Sequence, residues 1–94
     1  MSEHRILHIE SPAWVGLDTG RLCIRAEGRG DYFAAVEDVA ALSLSHPAIT
    51  VTSRALQALA AKGAIVLVSD ESHLPTALMQ PLAANTQTAM RVRT

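Results

Sequence analysis

One stretch limits what this chain can fold into more than any other: Ile49 to Leu78, ITVTSRALQALAAKGAIVLVSDESHLPTAL. Thr52 is suited to cap a helix, because its hydroxyl can accept a backbone N–H of the first turn. Val51 before it and Leu56 after it have the spacing of a hydrophobic staple. Ala55, Leu56, Leu59 and Ala60 then form one apolar face at the 3.6-residue period. Lys62 suits the negative end of the helix dipole, and Gly63 suits the left-handed position that stops a helix. These signals predict one principal helix at about 53–62. Ala64 to Val68 follows at once as an apolar run of strand length, which predicts a strand buried on both faces. Asp70 to Pro75 is a polar connector. Leu74 to Leu82 reads as a weak last strand broken by Pro75 and Pro81.

The chain before this stretch reads as short strands and turns. Arg5 to Ile9 is a β-type run stopped by Ser11-Pro12, and Trp14, Val15 and Leu17 continue extended. Asp18-Thr19-Gly20 supplies turn chemistry: an Asp side chain able to bond its own backbone and a Gly that tolerates positive φ. Leu22, Ile24 and Ala26 alternate with Cys23, Arg25 and Glu27, the period-2 pattern of a half-buried strand. The two runs therefore predict a hairpin, and Gly28-Arg29-Gly30 returns the chain into a further strand, Tyr32 to Val36. Glu37-Asp38 breaks the pattern. Val39 to Leu44 resumes it, and after His46-Pro47 a short alternation, Ile49 to Thr52, leads into the helix. The fold class that follows is α+β: a small, mostly antiparallel, β-rich domain of meander or sandwich type with one helix. Residues 1–84 form that domain, and residues 85–94 read as a linker or the start of another element.

At 94 residues there is room for one small core, which makes self-association a plausible source of added stability. Trp14, Tyr32 and Phe33 are the only aromatics, so the core must be mostly Leu, Ile, Val and Ala. A net charge of −1 provides no basic footprint and counts against strong autonomous binding to nucleic acid. Cys23 is alone, so neither an internal disulfide nor a cysteine metal cluster can form. No run approaches the roughly 20 apolar residues of a membrane span. Met1-Ser2-Glu3-His4-Arg5 leads into no secretory signal, and a reducing, cytoplasmic setting is expected.

Few residues suggest chemistry. His4 and His8 have the i, i+4 spacing of a helical zinc motif, but its Glu is missing and the segment reads as a strand. Asp70, Glu71 and His73 are a carboxylate pair plus imidazole after a buried strand, a composition that could bind a divalent cation or serve a small hydrolase. A solvated turn explains them more simply. Gly28-Arg29-Gly30 lacks the helix and Lys of a phosphate loop, and no nucleophile elbow is present. Thr52-Ser53-Arg54 could receive a phosphate at a helix N-terminus, although capping alone accounts for these residues.

Taken together, the phrases resemble a known family. RILHIESPAWVGLDTGRLCI, Val36-Glu37-Asp38-Val39, the I-T-x-T helix start at Ile49 to Thr52, the D-E-x-H-x-P connector at Asp70 to Pro75 and the L-x-x-P-L phrase at Leu78 to Leu82 occur in the order and spacing of one domain. That domain is the N-terminal part of the CRISPR-associated endonuclease that integrates new spacers in adaptive antiviral defence. The likeness is greatest to the type II version. Asn85-Thr86-Gln87 is one residue short of the family's N-x-x-Q segment. Thr76-Ala77 and Ala84 stand where the family carries glycines.

The resemblance implies a homodimerising, DNA-positioning domain that works beside a small second adaptation protein and holds a duplex with splayed ends. It implies no membrane. The catalytic Glu, His and Asp of such enzymes, with their Mg or Mn ion, belong to a following helical domain, so no catalytic or metal-binding residue carries over to this sequence and no cofactor is expected on it. By position, Ser11 and Trp14 fall near the end-splaying region, where an aromatic wedge could stack on bases. Scarcity of aromatics favours Trp14 as core instead. Thr52, Arg54 and Gln57 form a second candidate face for backbone contact. An alternative function is a stand-alone protein-interaction or dimerisation module with no DNA role.

Overall fold

The computed structural model describes residues 5–82, so His4, the 84/85 boundary, Ala84 and the Asn85–Thr94 segment lie outside the described residues. Eight strands and one helix follow in order: β1 (Arg5–Ile9), β2 (Ala13–Asp18), β3 (Arg21–Ala26), β4 (Gly30–Ala35), β5 (Val39–Leu44), β6 (Ile49–Val51), α1 (Ser53–Ala61), β7 (Ile65–Ser69) and β8 (Pro75–Met79). A 3-10 turn, Val36–Asp38, joins β4 to β5. The strands form two four-stranded sheets, β1-β5-β7-β8 and β4-β3-β2-β6. We refer to them as the first and second sheet. The α+β, β-rich expectation with one helix is met.

The expected meander is the β2-β3-β4 part of the second sheet. Thr19 (φ 49°) and Gly20 (φ 78°) make the hairpin turn. Two successive positive-φ residues match the twist of a two-residue hairpin. Asp18 does not close the turn through its side chain: it ends β2, pairs with Arg21 across the ladder and lies 3.9 Å from the Arg21 guanidinium. The β1–β5, β2–β6 and β5–β7 pairs are parallel. Both sheets are therefore mixed.

The helix forms where its local signals placed it. Thr52 Oγ1 accepts from the Ala55 N–H at 3.2 Å, and the Thr52 N–H donates to Val15 O at 2.9 Å, tying the helix start to β2. At the other end the Ala64 N–H donates to Leu59 O and the Gly63 N–H to Ala60 O, with Gly63 at φ 82°. This double bond closes a helix through a left-handed residue. Lys62 is therefore the cap, and the last helical residue is Ala61. Ala55 and Leu59 are buried against β2 and the 3-10 turn.

The core lies between the two sheets. Ile9, Leu42, Leu44 and Val66 come from the first sheet, Val15, Leu22 and Ile24 from the second, and Ala55 and Leu59 from the helix. Two expectations change. The strand after Gly30 ends at Ala35, because Val36 turns inward as the start of the 3-10 turn and is buried there. β7 is not buried on both faces: Val66 is in the core, Ile65 and Leu67 are half-buried, and Val68 is 38% exposed. Among the described residues α1 is the one helix, and it packs on β2 rather than on the far side of β7.

Candidate functional site

The residues singled out from the sequence fall into three places. Trp14 lies on β2, with Arg25 of β3 on one side and Thr50 of β6 on the other. Val15, the next residue, is fully buried, so Trp14 points to the outer face of the second sheet. It is 38% exposed and not part of the core. The core assignment suggested by the shortage of aromatics is thus corrected: strand alternation decides the side.

The indole is folded down along its own strand. A Cβ added at Gly16 would meet Trp14 Cη2 and come within 2.7 Å of Cζ2 and Cζ3, so Gly16 is the seat on which the ring rests. Cys23 pairs with Gly16 and Phe33 in the same row. It faces away from the core, yet it is 1% exposed. A thin apolar layer therefore sits on this outer face, made by Trp14 and Phe33 around Gly16 and Cys23. Arginines cover its edges: the Arg25 guanidinium carbon lies 5.2 Å from the Trp14 ring centre, and that of Arg21 lies 4.4 Å from Phe33. Asp31 stands 3.7 Å from Arg25, as Asp18 stands beside Arg21. Phe33, Arg21 and Arg25 were not among the sequence candidates. The hairpin register held the signal for the arginines, since a two-residue turn at Thr19-Gly20 sets Trp14 opposite Arg25.

Thr52 follows the end of β6, two residues past Thr50, and its N–H donates to the backbone of Val15, the residue after Trp14. Its hydroxyl is occupied by the cap. Arg54 and Gln57 are exposed on the solvent side of α1. Among the described residues Arg54 makes no ion pair. Ser11 is separate: half-buried in the β1–β2 turn, it lines an open cavity of about 520 Å³ between the edges of β1 and β4, with Leu7, Ile9, Ile24, Arg29 and Tyr32. Trp14 and Thr52 thus lie on hydrogen-bonded neighbouring segments of backbone, while Ser11 opens elsewhere.

The Asp70–His73 cluster has the geometry of a turn. Asp70 Oδ1 accepts from the Ser72 and Leu74 N–H groups, both at 2.9 Å, and His73 adopts φ 66° to close the hairpin. His46 is likewise structural, its Nδ1 accepting from the Ala48 N–H at 3.0 Å. Glu10, His46, Glu71 and His73 do share a small hollow of about 240 Å³. Among the described residues, however, no three His, Cys, Asp or Glu side chains gather as a metal site requires. No described helix is long and apolar enough to cross a membrane.

No protein-family model matches the sequence, and no curated protein does. Solved structures do match in fold. The TtCas1–DNA complex superposes with a TM-score of 0.73 at 24% identity, over 83% of this chain and 29% of that one. A casposase bound to its integration product gives 0.65 at 16% identity, over 86% of this chain and 26% of that one. A partial Cas6-RT-Cas1–Cas2 complex gives 0.74 at 14% identity, over 95% of this chain and 26% of that one. This chain has the fold of a domain found in Cas1 proteins, and it spans under a third of the length of each of these three.

Proposed function

We propose that the chain is the dimerisation and DNA-positioning domain of a Cas1-like spacer integrase, corresponding to the N-terminal domain of the type II version. In this reading it binds a second copy and a small Cas2-type partner, and it holds a duplex with splayed ends in the cytoplasm. Cutting and joining belong to a separate helical domain, whose own ligands would hold the Mg or Mn ion. The observation that carries the reading is the fold, which superposes over 83% of this chain on part of a protein solved with DNA.

On this surface the work divides by chemistry. Trp14 offers a half-exposed ring for a terminal base, a stacking contact worth about 1–3 kcal/mol. Arg54 and Gln57 supply backbone contacts beside the helix N-terminus, where free N–H groups favour phosphate. Thr52 holds that terminus in place through its cap, and Ser11 contributes a hydroxyl apart from this surface, at the cavity beside the β1–β2 turn.

Binding of labelled duplexes with frayed or blunt ends, followed against salt, tests this. Trp14→Ala is expected to reduce the preference for frayed ends by about 5- to 100-fold. Arg54→Ala is expected to weaken both duplexes alike and to lower the salt slope by about 1. Absence of any salt-dependent binding would remove the DNA role. One observation favours the second reading, a protein-interaction module. Both arginines on the Trp14 face already have an Asp beside them, so that face brings no net positive charge. Under that reading no duplex binds and dimerisation alone remains.

A further inference from the structure

Along one side the two sheets do not meet. β1 is an edge strand of the first sheet and β4 of the second, and the cavity of about 520 Å³ lies between them. Leu7, Ile9, Ile24 and Ala26 give it an apolar wall, and Tyr32 adds a ring. Tyr32 pairs with the buried Ile24, so it belongs to the inner face of the second sheet, yet it is 43% exposed because β4 is the edge. Arg5 Nη1 donates across the gap to the Tyr32 hydroxyl at 3.3 Å, which leaves the hydroxyl its own proton to donate. The backbone of β1 adds further polar groups. Ile9 O accepts from the Ser45 N–H on the β5 side, so the N–H and C=O of His8 turn to the other side, along the cavity. Glu10, Ser11 and Arg29 complete this polar rim. Among the described residues Arg29 makes no ion pair, whereas Arg21 and Arg25 each have an Asp beside them.

We infer that this cleft binds one nucleotide, with its base against Tyr32 between the sheets and its phosphate on Arg29. The mixed lining selects the ligand. The volume falls within the range of small-ligand sites. A plain hydrocarbon would cover the Ser11 hydroxyl, Glu10 and the His8 backbone groups without giving them partners, which is costly. A bare anion would leave the apolar wall wet. A nucleobase has an apolar face that stacks on an aromatic ring and a polar edge that takes hydrogen bonds, and its phosphate matches the fork of a guanidinium. Two sources carry this chemistry, a free mononucleotide and an unpaired nucleotide at the end of a DNA strand. The second source rests on the DNA reading above. The cleft and Trp14 lie on opposite faces of the second sheet, so each would seat a different unpaired nucleotide.

Amide NMR spectra of the full chain, titrated with dTMP, test the site. Saturating shifts are expected at His8, Arg29 and Tyr32 at roughly millimolar concentration, the range of a weak single-nucleotide site, and none at Gly16, outside the cleft. Arg29→Ala and Tyr32→Leu are each expected to weaken binding at least about fivefold. Arg29 is an exposed turn residue, so its variant keeps the fold even if the Tyr32 variant does not. Inorganic phosphate that reproduces the dTMP shifts means an adventitious anion only and overturns the nucleotide site, as do shifts that Arg29→Ala leaves unchanged. A second titration separates the sources, using a duplex with one unpaired terminal nucleotide and the same duplex with an abasic residue there. Cleft shifts with the first and not the second assign the strand end as ligand. Shifts with dTMP and no duplex binding assign the free nucleotide, and they remove the DNA reading while the cleft stands. Duplex binding with the cleft amides unmoved in both titrations overturns the cleft and leaves the DNA reading standing. No binding of either kind overturns both.

Discussion

Gly16 decides where the single tryptophan lies. With no Cβ it leaves room for the Trp14 ring to rest on the strand, and a methyl group there would overlap the indole. The ring is the part that must give way, because it belongs to a surface side chain and β2 is held by ladders on both sides. Gly16→Ala should therefore lift the indole off the sheet while β2 stays paired. Losing the ring's contacts destabilises, and replacing Gly with Ala inside a strand recovers about 0.5–1 kcal/mol, so the net change in stability is expected to stay within about 1 kcal/mol. Emission from Trp14, the only tryptophan, should shift to the red and become easier to quench with iodide. An unchanged spectrum in the Ala variant would show that Gly16 is not the seat. The two arginines add little to this arrangement. Each ion pair is exposed and worth at most about 1 kcal/mol, and each cation–aromatic contact is worth about 0.5–1 kcal/mol.

Among the elements, α1 has its ends written in its sequence as caps. Thr52 and Gly63 do the jobs their types suggest, because caps are made by residues within a few positions of one another. Gly63 allows a clean test. Nothing lies within 4 Å of where its Cβ would be, so a substitution there meets no clash, and only the left-handed backbone opposes it. Gly63→Ala is expected to cost about 1–2 kcal/mol in urea unfolding. Gly63→Asn should cost less, since Asn tolerates this conformation better. Equal costs for the two would point to something other than backbone strain. The same locality explains which strands were legible. β1 and β5 have the bounds their runs of apolar residues and turns predicted, Arg5–Ile9 and Val39–Leu44, and the β2–β3 hairpin is joined by two residues. That β1 pairs with β5, more than 30 positions away, is settled by the burial of both sheets together and leaves no mark within either segment. The candidate site divides in the same way. Trp14 facing outward follows from its alternation with Val15, and Arg25 beside it follows from the hairpin. The apolar layer needed Phe33 from a third strand, and Ser11 turned out to face a cavity formed by strands from both sheets.

At the scale of the whole molecule, neither sheet is made from one continuous piece of chain. β1 belongs to the first sheet, β2 to β4 to the second, β5 to the first, β6 to the second, and β7 and β8 to the first again. Each sheet thus has its own strands separated by the other's. Both sheets close on one core, in which Leu22 from the second and Leu42 from the first are fully buried. Such a chain cannot lose one sheet and keep the other, because releasing β5 from the first sheet also frees the connections that hold β4 and β6 in the second. Leu42→Ala removes methyl groups from that shared core and is expected to cost about 2–5 kcal/mol. A domain of this length has only about 5–14 kcal/mol in total. Amide hydrogen exchange locates the damage. Protection should fall in β2 and β3 as far as it does in β5 and β7, although Leu42 belongs only to the first sheet. Leu22→Ala should give the mirror result. Loss of protection confined to the substituted sheet would mean that the sheets open separately, and the domain would then be two weakly joined layers rather than one folding unit.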